Sequence, residues 1–188
     1  MPCIAAAPVL AGLVLASLTL SLTAQPARAG GVDREIHVPD GWEGAYDFGY
    51  APVVRVGDMV IVSGIPAGGE RAYEEKIRRM YQRAAELLEA AGATIDDVVE
   101  LTTFHREPRD SPAFHAEFDR YMPIHREFFG VHRPAWTAVG TTPLLSPTAP
   151  VEMRVIAVIG SGKASRVVFE NPPEPKPGTA AGGAEGTK

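Results

Sequence analysis

The stretch VVRVGDMVIVSG, Val53 to Gly64, decides the fold. β-Branched residues crowd both sides of Gly57-Asp58, and two such runs joined by a two-residue turn read as an antiparallel hairpin. Glycine suits the turn because it adopts positive φ without a Cβ clash. A Gly-rich loop, Ala67 to Gly69, follows, and then a predicted helix from Ala72 to Ala91. Its apolar residues Ile77, Met80, Tyr81, Ala84, Leu87, Leu88 and Ala91 step by three and four, one buried stripe, with Gly92 as the natural stop. Val98 to Phe104 (VVELTTF) reads as a third strand. Ser111-Pro112 predicts an N-cap and a proline at the first helical position, opening a second helix through Phe114, Phe118 and Tyr121. Pro123 is expected to end or kink it. Ala135 to Thr141 and Val151 to Ile159 complete the strands, on either side of the Pro-rich loop Thr142 to Pro150.

The resulting order is β-β-α-β-α-β-β, an α+β sheet with both helices on one face. The strands VVRVGDMVIV and VEMRVIAVIG carry apolar residues on both faces. The uncovered face therefore needs a partner, and self-association is the expected one.

The chain has 188 residues, about one domain's worth. Its 45% hydrophobic and 22% charged composition is that of a globular domain and not of a disordered chain. With 18 Lys and Arg against 23 Asp and Glu, the net charge of −5 leaves no basic excess to neutralise phosphates, which speaks against nucleic-acid binding. The single cysteine, Cys3, permits no intrachain disulfide and no Cys-based zinc site. The apolar run IAAAPVLAGLVLASLTLSL (Ile4–Leu22) leads to Ala27-Arg28-Ala29, an A-x-A cleavage pattern. Residues 1–29 are expected to be a signal peptide, which places the mature chain in the periplasm or outside the cell with no membrane contact after cleavage. An uncleaved anchor is the alternative, because the run is near spanning length. The folding unit is expected over 33–170. The Pro-, Gly-, Ala- and Thr-rich stretch 171–188 is expected to be a disordered tail.

Four stretches in series, VRVGDMVIVSG (54–64), LLEAAGATIDDVVELTTF (87–104), RPAWTAV (133–139) and VEMRVIAV (151–158), resemble the RidA/YjgF family of enamine and imine deaminases. The resemblance spans roughly 49–160. It implies a chorismate-mutase-like α+β fold, a homotrimer with the sheets facing inward, ligand clefts between subunits, and a small-molecule ligand. It also implies hydrolysis of imines derived from amino acids without any metal or organic cofactor.

Carried over by the resemblance, a pocket tyrosine falls on Tyr50 and a water-activating glutamate on Glu152. The family's substrate-clamping arginine falls on Trp136, since R-P-A-R has become R-P-A-W. Indole has one N–H donor and no charge, so it cannot grip a carboxylate as a guanidinium fork does. This points to a divergent branch, a hydrolase or deaminase of undefined substrate that is not an efficient 2-aminoacrylate deaminase. The rival reading is a non-catalytic ligand-binding or interaction protein on the same trimeric fold.

Each candidate also has a structural reading. Trp136 either stacks on a planar ligand or fills a subunit interface. Glu152 is either a general base or a carboxylate paired with Arg154, two residues on and on the same strand face. Arg154 could replace the missing clamp. Arg133 leads into the R-P-A motif and is a substrate-site candidate that also suits a structural role. His105, His115 and His125 stand ten residues apart, which matches no helical ligand pair, so no metal site is expected. GSGKAS (160–165) lacks the spacing of a phosphate loop, and KIRRMYQR (76–83) reads as a solvated helix face.

Overall fold

The computed structural model describes residues 33–171. The expected signal peptide and nearly all of the expected tail lie outside the described residues. The elements run β1 (Arg34–His37), α1 (Glu43–Phe48), β2 (Val53–Val56), β3 (Met59–Pro66), α2 (Tyr73–Ala90), β4 (Val98–His105), α3 (Ser111–Phe129), β5 (Ala135–Gly140) and β6 (Val151–Val158). One six-stranded sheet has the order β1-β2-β3-β6-β4-β5. Neighbours are antiparallel except β4 and β5, which are parallel and joined by α3 as a crossover.

The hairpin forms as expected, with Val56 opposite Met59 and Gly57 at φ +61. Helices α2 and α3 cover one face. The stripe of Ile77, Met80, Tyr81, Leu87 and Leu88 packs with Tyr121 and Ile124 of α3 on Val60, Val62, Ile65, Leu101, Met153 and Val155. β6 alternates strictly between buried and half-buried residues. Its second set, Glu152, Arg154, Ile156 and Val158, shares the opposite face with Val54, Ile61, Thr102 and Phe104, all half-exposed. The α+β sheet with its helices on one side thus holds.

Three features differ from the reading of the chain. β1 and α1 precede the hairpin; a four-residue edge strand and a six-residue helix are too short to show a hydrophobic period. Asp110, not Ser111, caps α3, its carboxylate accepting from the Ala113 N–H at 2.8 Å. And Pro123 does not end α3, which runs on to Phe129. Proline removes one backbone donor and crowds the carbonyl of Asp119, but Ile124, His125 and Phe129 beyond it are buried, and that burial holds the last turns in place.

The GSG of Gly160–Gly162 has a structural role. Asp97, buried before β4, accepts from the Gly160 and Gly162 N–H groups (2.8 and 3.3 Å) through Oδ1, and from the Thr94 N–H and hydroxyl (3.0 and 3.1 Å) through Oδ2. Burial alone would raise its pKa, but these donors outweigh it and hold the carboxyl below its ordinary value. Asp97→Ala is expected to cost about 3 kcal/mol in urea unfolding, since hydrogen bonds to a charged group contribute roughly 1.5–3 kcal/mol each and do not add fully.

Candidate functional site

The two strands that flank the pocket are out of step. Between Val62 and Ile65, β3 carries two residues, Ser63 and Gly64, against the single Arg154 of β6. This β-bulge brings Pro66 opposite Glu152 and lets the Glu152 side chain lie across Gly64. A Cβ at Gly64 would collide with the Glu152 carboxylate and sit 2.9 Å from its Cδ. Gly64 is therefore what makes room for the acid.

Ser63 ties the other wall in place. Its hydroxyl donates to the Ala51 carbonyl at 2.6 Å and its N–H to the Pro52 carbonyl at 3.0 Å. The segment leading to β2, which carries Tyr50, is fixed against the bulge. Gly49, at φ +118, closes α1 just before it. The result is a pocket of about 390 Å³ lined by Tyr50, Ser63, Gly64, Pro66, Leu145, Ser146 and Glu152. Glu152 is the one charged group in this lining, and burial raises its carboxyl above the ordinary carboxylate range. A carboxylate with a raised pKa in a half-closed pocket can take a proton from water near neutral pH.

The other sequence candidates lie elsewhere. Arg154 points to the open sheet face, 3.4 Å from Glu100 Oε1. Glu152 therefore has no ion pair with Arg154; the bulge turns it toward Gly64 instead. Arg133 folds back on the end of α3, donating to the Gly130 and His132 carbonyls at 2.7 and 2.8 Å. Trp136 is opposite Leu101 in β5 and so faces the helices, away from the open face. Its ring stacks on His125 (centroids 4.6 Å apart, planes 16° apart) and Phe118 (5.3 Å), and its Nε1–H donates to Thr103 Oγ1 at 3.0 Å. It lines no wall of the Tyr50–Glu152 pocket within one chain.

Sequence reading missed Ser63 and Gly64 as site residues; a Ser-Gly pair ending a strand is the only signal they carry. Leu145 and Ser146 belong to the Pro-rich loop, which has no periodicity to place it. The histidines are scattered: His105 is buried beneath α3, His125 lies against Trp136, and His115 is exposed. Among the described residues, no three His, Cys, Asp or Glu side chains converge to hold a metal ion.

His125 has a separate consequence for stability. Burial, with Arg133 and Arg126 adding to it, pushes its pKa down to about 4. The unfolded chain therefore binds a proton near pH 6.5 that the folded chain refuses until about pH 4. This contribution is fully present above about pH 6.5 and is lost as pH falls toward 4, on the order of 3 kcal/mol in all. Unfolding free energies across that window should fall steeply for the wild type and much less for His125→Phe.

Comparison with known proteins shows which family shares this fold. Residues 46–159 match the family model described as Endoribonuclease L-PSP. The RutC family protein YjgH of Escherichia coli K12 is 31% identical over 135 residues, covering 68% of this chain and 97% of that one. A RutC family protein of Pyrococcus abyssi is 29% identical over 115 residues, covering 57% and 84%. The crystal structure of Rv2704 from Mycobacterium tuberculosis, described as a YjgF/YER057c/UK114 family member, superposes with a TM-score of 0.58 at 28% identity, covering 68% of this chain and all of that one. Over residues 46–159, which carry β2 to β6, both long helices and the stretch from Tyr50 to Glu152, this chain belongs to the RidA/YjgF family.

Proposed function

We propose that the Tyr50–Glu152 pocket hydrolyses a small imine, or an enamine by way of its imine tautomer, that carries no carboxylate next to the C=N carbon. The observation that carries this reading is Glu152, held over Gly64 with its pKa raised by burial, in a pocket with no cation among its lining residues. Glu152 takes a proton from water as the water oxygen bonds to the imine carbon. The C=N electron pair moves to nitrogen, which takes that proton back from Glu152; Glu152 then passes the carbinolamine hydroxyl proton to nitrogen as the C–N bond breaks, releasing the amine and leaving a carbonyl. Tyr50 and Leu145 wall the substrate. A half-open pocket next to a half-exposed sheet face fits completion by a neighbouring subunit in a homotrimer, and the leader-like N-terminal sequence fits work in the periplasm or outside the cell.

RNA is a poor fit for this pocket. Its single charge is negative, and the chain carries −5 overall, so nothing in it neutralises phosphate. The test is semicarbazone trapping of imines generated in situ. Uncharged imines should disappear faster with the protein than without it, and 2-aminoacrylate should not. Equal acceleration of both would remove the argument from the missing clamp. No acceleration of either, with an aromatic ligand that binds and quenches tryptophan fluorescence, would favour the binding-protein reading.

A further inference from the structure

A second cleft, of about 500 Å³, opens between the N-terminal halves of α2 and α3 and the loop before β6, and shares no lining residue with the Tyr50–Glu152 pocket. Three cations reach it from three separate elements: Lys76 from α2, Arg106 from the turn after β4, and Arg120 from α3. Lys76 and Arg120 each make one hydrogen bond among the described residues and keep donors free, whereas Arg106 makes two. Lys76 Nζ donates to the Thr148 carbonyl at 2.9 Å and has no carboxylate partner among the described residues. Arg120 gives Nε to Glu74 (2.9 Å) and lies 4.3 Å over the Tyr73 ring, with its two terminal nitrogens making no hydrogen bond among the described residues. Arg106 is anchored to the Pro147 carbonyl and to Glu107.

The carboxylate beneath the cleft is already engaged. Glu117 accepts from the Tyr73 hydroxyl at 2.7 Å through Oε1, while its buried Oε2 lies 3.2 Å from His105 Nδ1. Its charge, with that of Glu107 at the rim, disfavours a dianion in the same space. Pro108, Ala113, Ala116 and Pro150 give the cleft an apolar side, which a compact, strongly hydrated anion would not use. We propose that this cleft binds a small monocarboxylate with an apolar body, its charge met by Lys76 and Arg120 and its body laid against Ala113, Ala116 and Pro150. Charge-assisted bonds from Lys and Arg fix the carboxylate end, and the apolar wall selects against inorganic anions. The site is independent of the hydrolytic reading and stands or falls separately from it.

Isothermal titration calorimetry of the full chain with sodium benzoate, benzamide and inorganic phosphate tests this. Benzoate should bind saturably, with Kd at or below about 1 mM. Benzamide, of the same shape without the charge, and phosphate, with charge but no body, should each bind at least tenfold more weakly. Lys76→Gln and Arg120→Gln should each weaken benzoate at least tenfold, and Glu152→Gln should leave it unchanged. Benzamide matching benzoate, phosphate binding more tightly, no saturation, or loss in Glu152→Gln but not in Lys76→Gln would each overturn the assignment. The wild-type comparison of the three probes decides the matter even if a variant fails to fold.

Discussion

Glu152→Gln should lower kcat/KM for imine hydrolysis by roughly 10²–10⁴, the usual contribution of a positioned general base. The amide keeps the size of the side chain and loses only the ability to take a proton. Because burial raises the Glu152 carboxyl, wild-type kcat/KM should climb with pH through a value above the ordinary carboxylate range, and this limb should be absent from the variant. Stability moves the other way. An acid whose folded pKa is raised favours the folded state while protonated and loses that advantage as pH rises through the folded pKa. Near neutral pH the buried charge is a net cost, so Glu152→Gln should melt at a higher temperature than the wild type, with the difference shrinking in acid. Gly64→Ala probes the same acid from the other side. The added methyl occupies the space of the carboxylate, and the acid must swing away or the bulge must open. Hydrolysis should fall about as far as in Glu152→Gln, with a loss of melting temperature in place of a gain. A Gly64→Ala enzyme with wild-type kinetics would show that the carboxylate need not lie over Gly64 and would sink the assignment of Glu152 as base.

The parts of this fold that were legible are those with a strong period. The hairpin, α2, β4 and β6 each carry enough apolar residues for a spacing of two or of three to four to stand out, and each forms within two residues of its expected bounds. The resemblance led to the expectation of Tyr50 and Glu152 at one pocket, but how they come together is visible only in the structure, because it depends on a bulge that adds one residue to β3 and on a serine hydroxyl bond across twelve residues. Local sequence does not encode such a register. The orientation of Trp136 was not legible either. AWTAVG has no clean alternation, so which face its tryptophan takes follows from the parallel register with β4, where Leu101 and Trp136 stand side by side. GSGKAS, which lacks the spacing of a phosphate loop, gives no sign in sequence of its structural part, in which Gly160 and Gly162 present N–H groups to Asp97.

Trp136→Arg restores the family's R-P-A-R motif, and it should destabilise the protein without conferring hydrolysis of carboxylate-bearing imines. The indole fills a slot under α3, stacked on His125 and Phe118 and tilted against Tyr121 at 5.8 Å. Its N–H meets Thr103 Oγ1, which is itself 2.9 Å from His105 Nε2. A guanidinium there loses ring contact and brings a third cation to His125, whose pKa Arg133 and Arg126 already depress. Truncating a buried aromatic costs about 3–5 kcal/mol; for a partly buried Trp exchanged for a long side chain that keeps some packing, we expect about 2–3 kcal/mol. For a domain of this size, that lowers Tm by roughly 5–10 °C. Trp136→Phe keeps a stacking ring but loses the bond to Thr103 and part of the indole's volume, so it should cost about 1–2 kcal/mol. Thermal melts order the three proteins as wild type, then Phe, then Arg. The semicarbazone assay should show 2-aminoacrylate untouched by all three, because within one chain position 136 opens onto the helices and not onto Glu152. A Trp136→Arg protein as stable as the wild type and newly active on 2-aminoacrylate would mean that residue 136 reaches a Glu152 pocket across a subunit boundary, and that the substrate range of this chain was set by that single exchange.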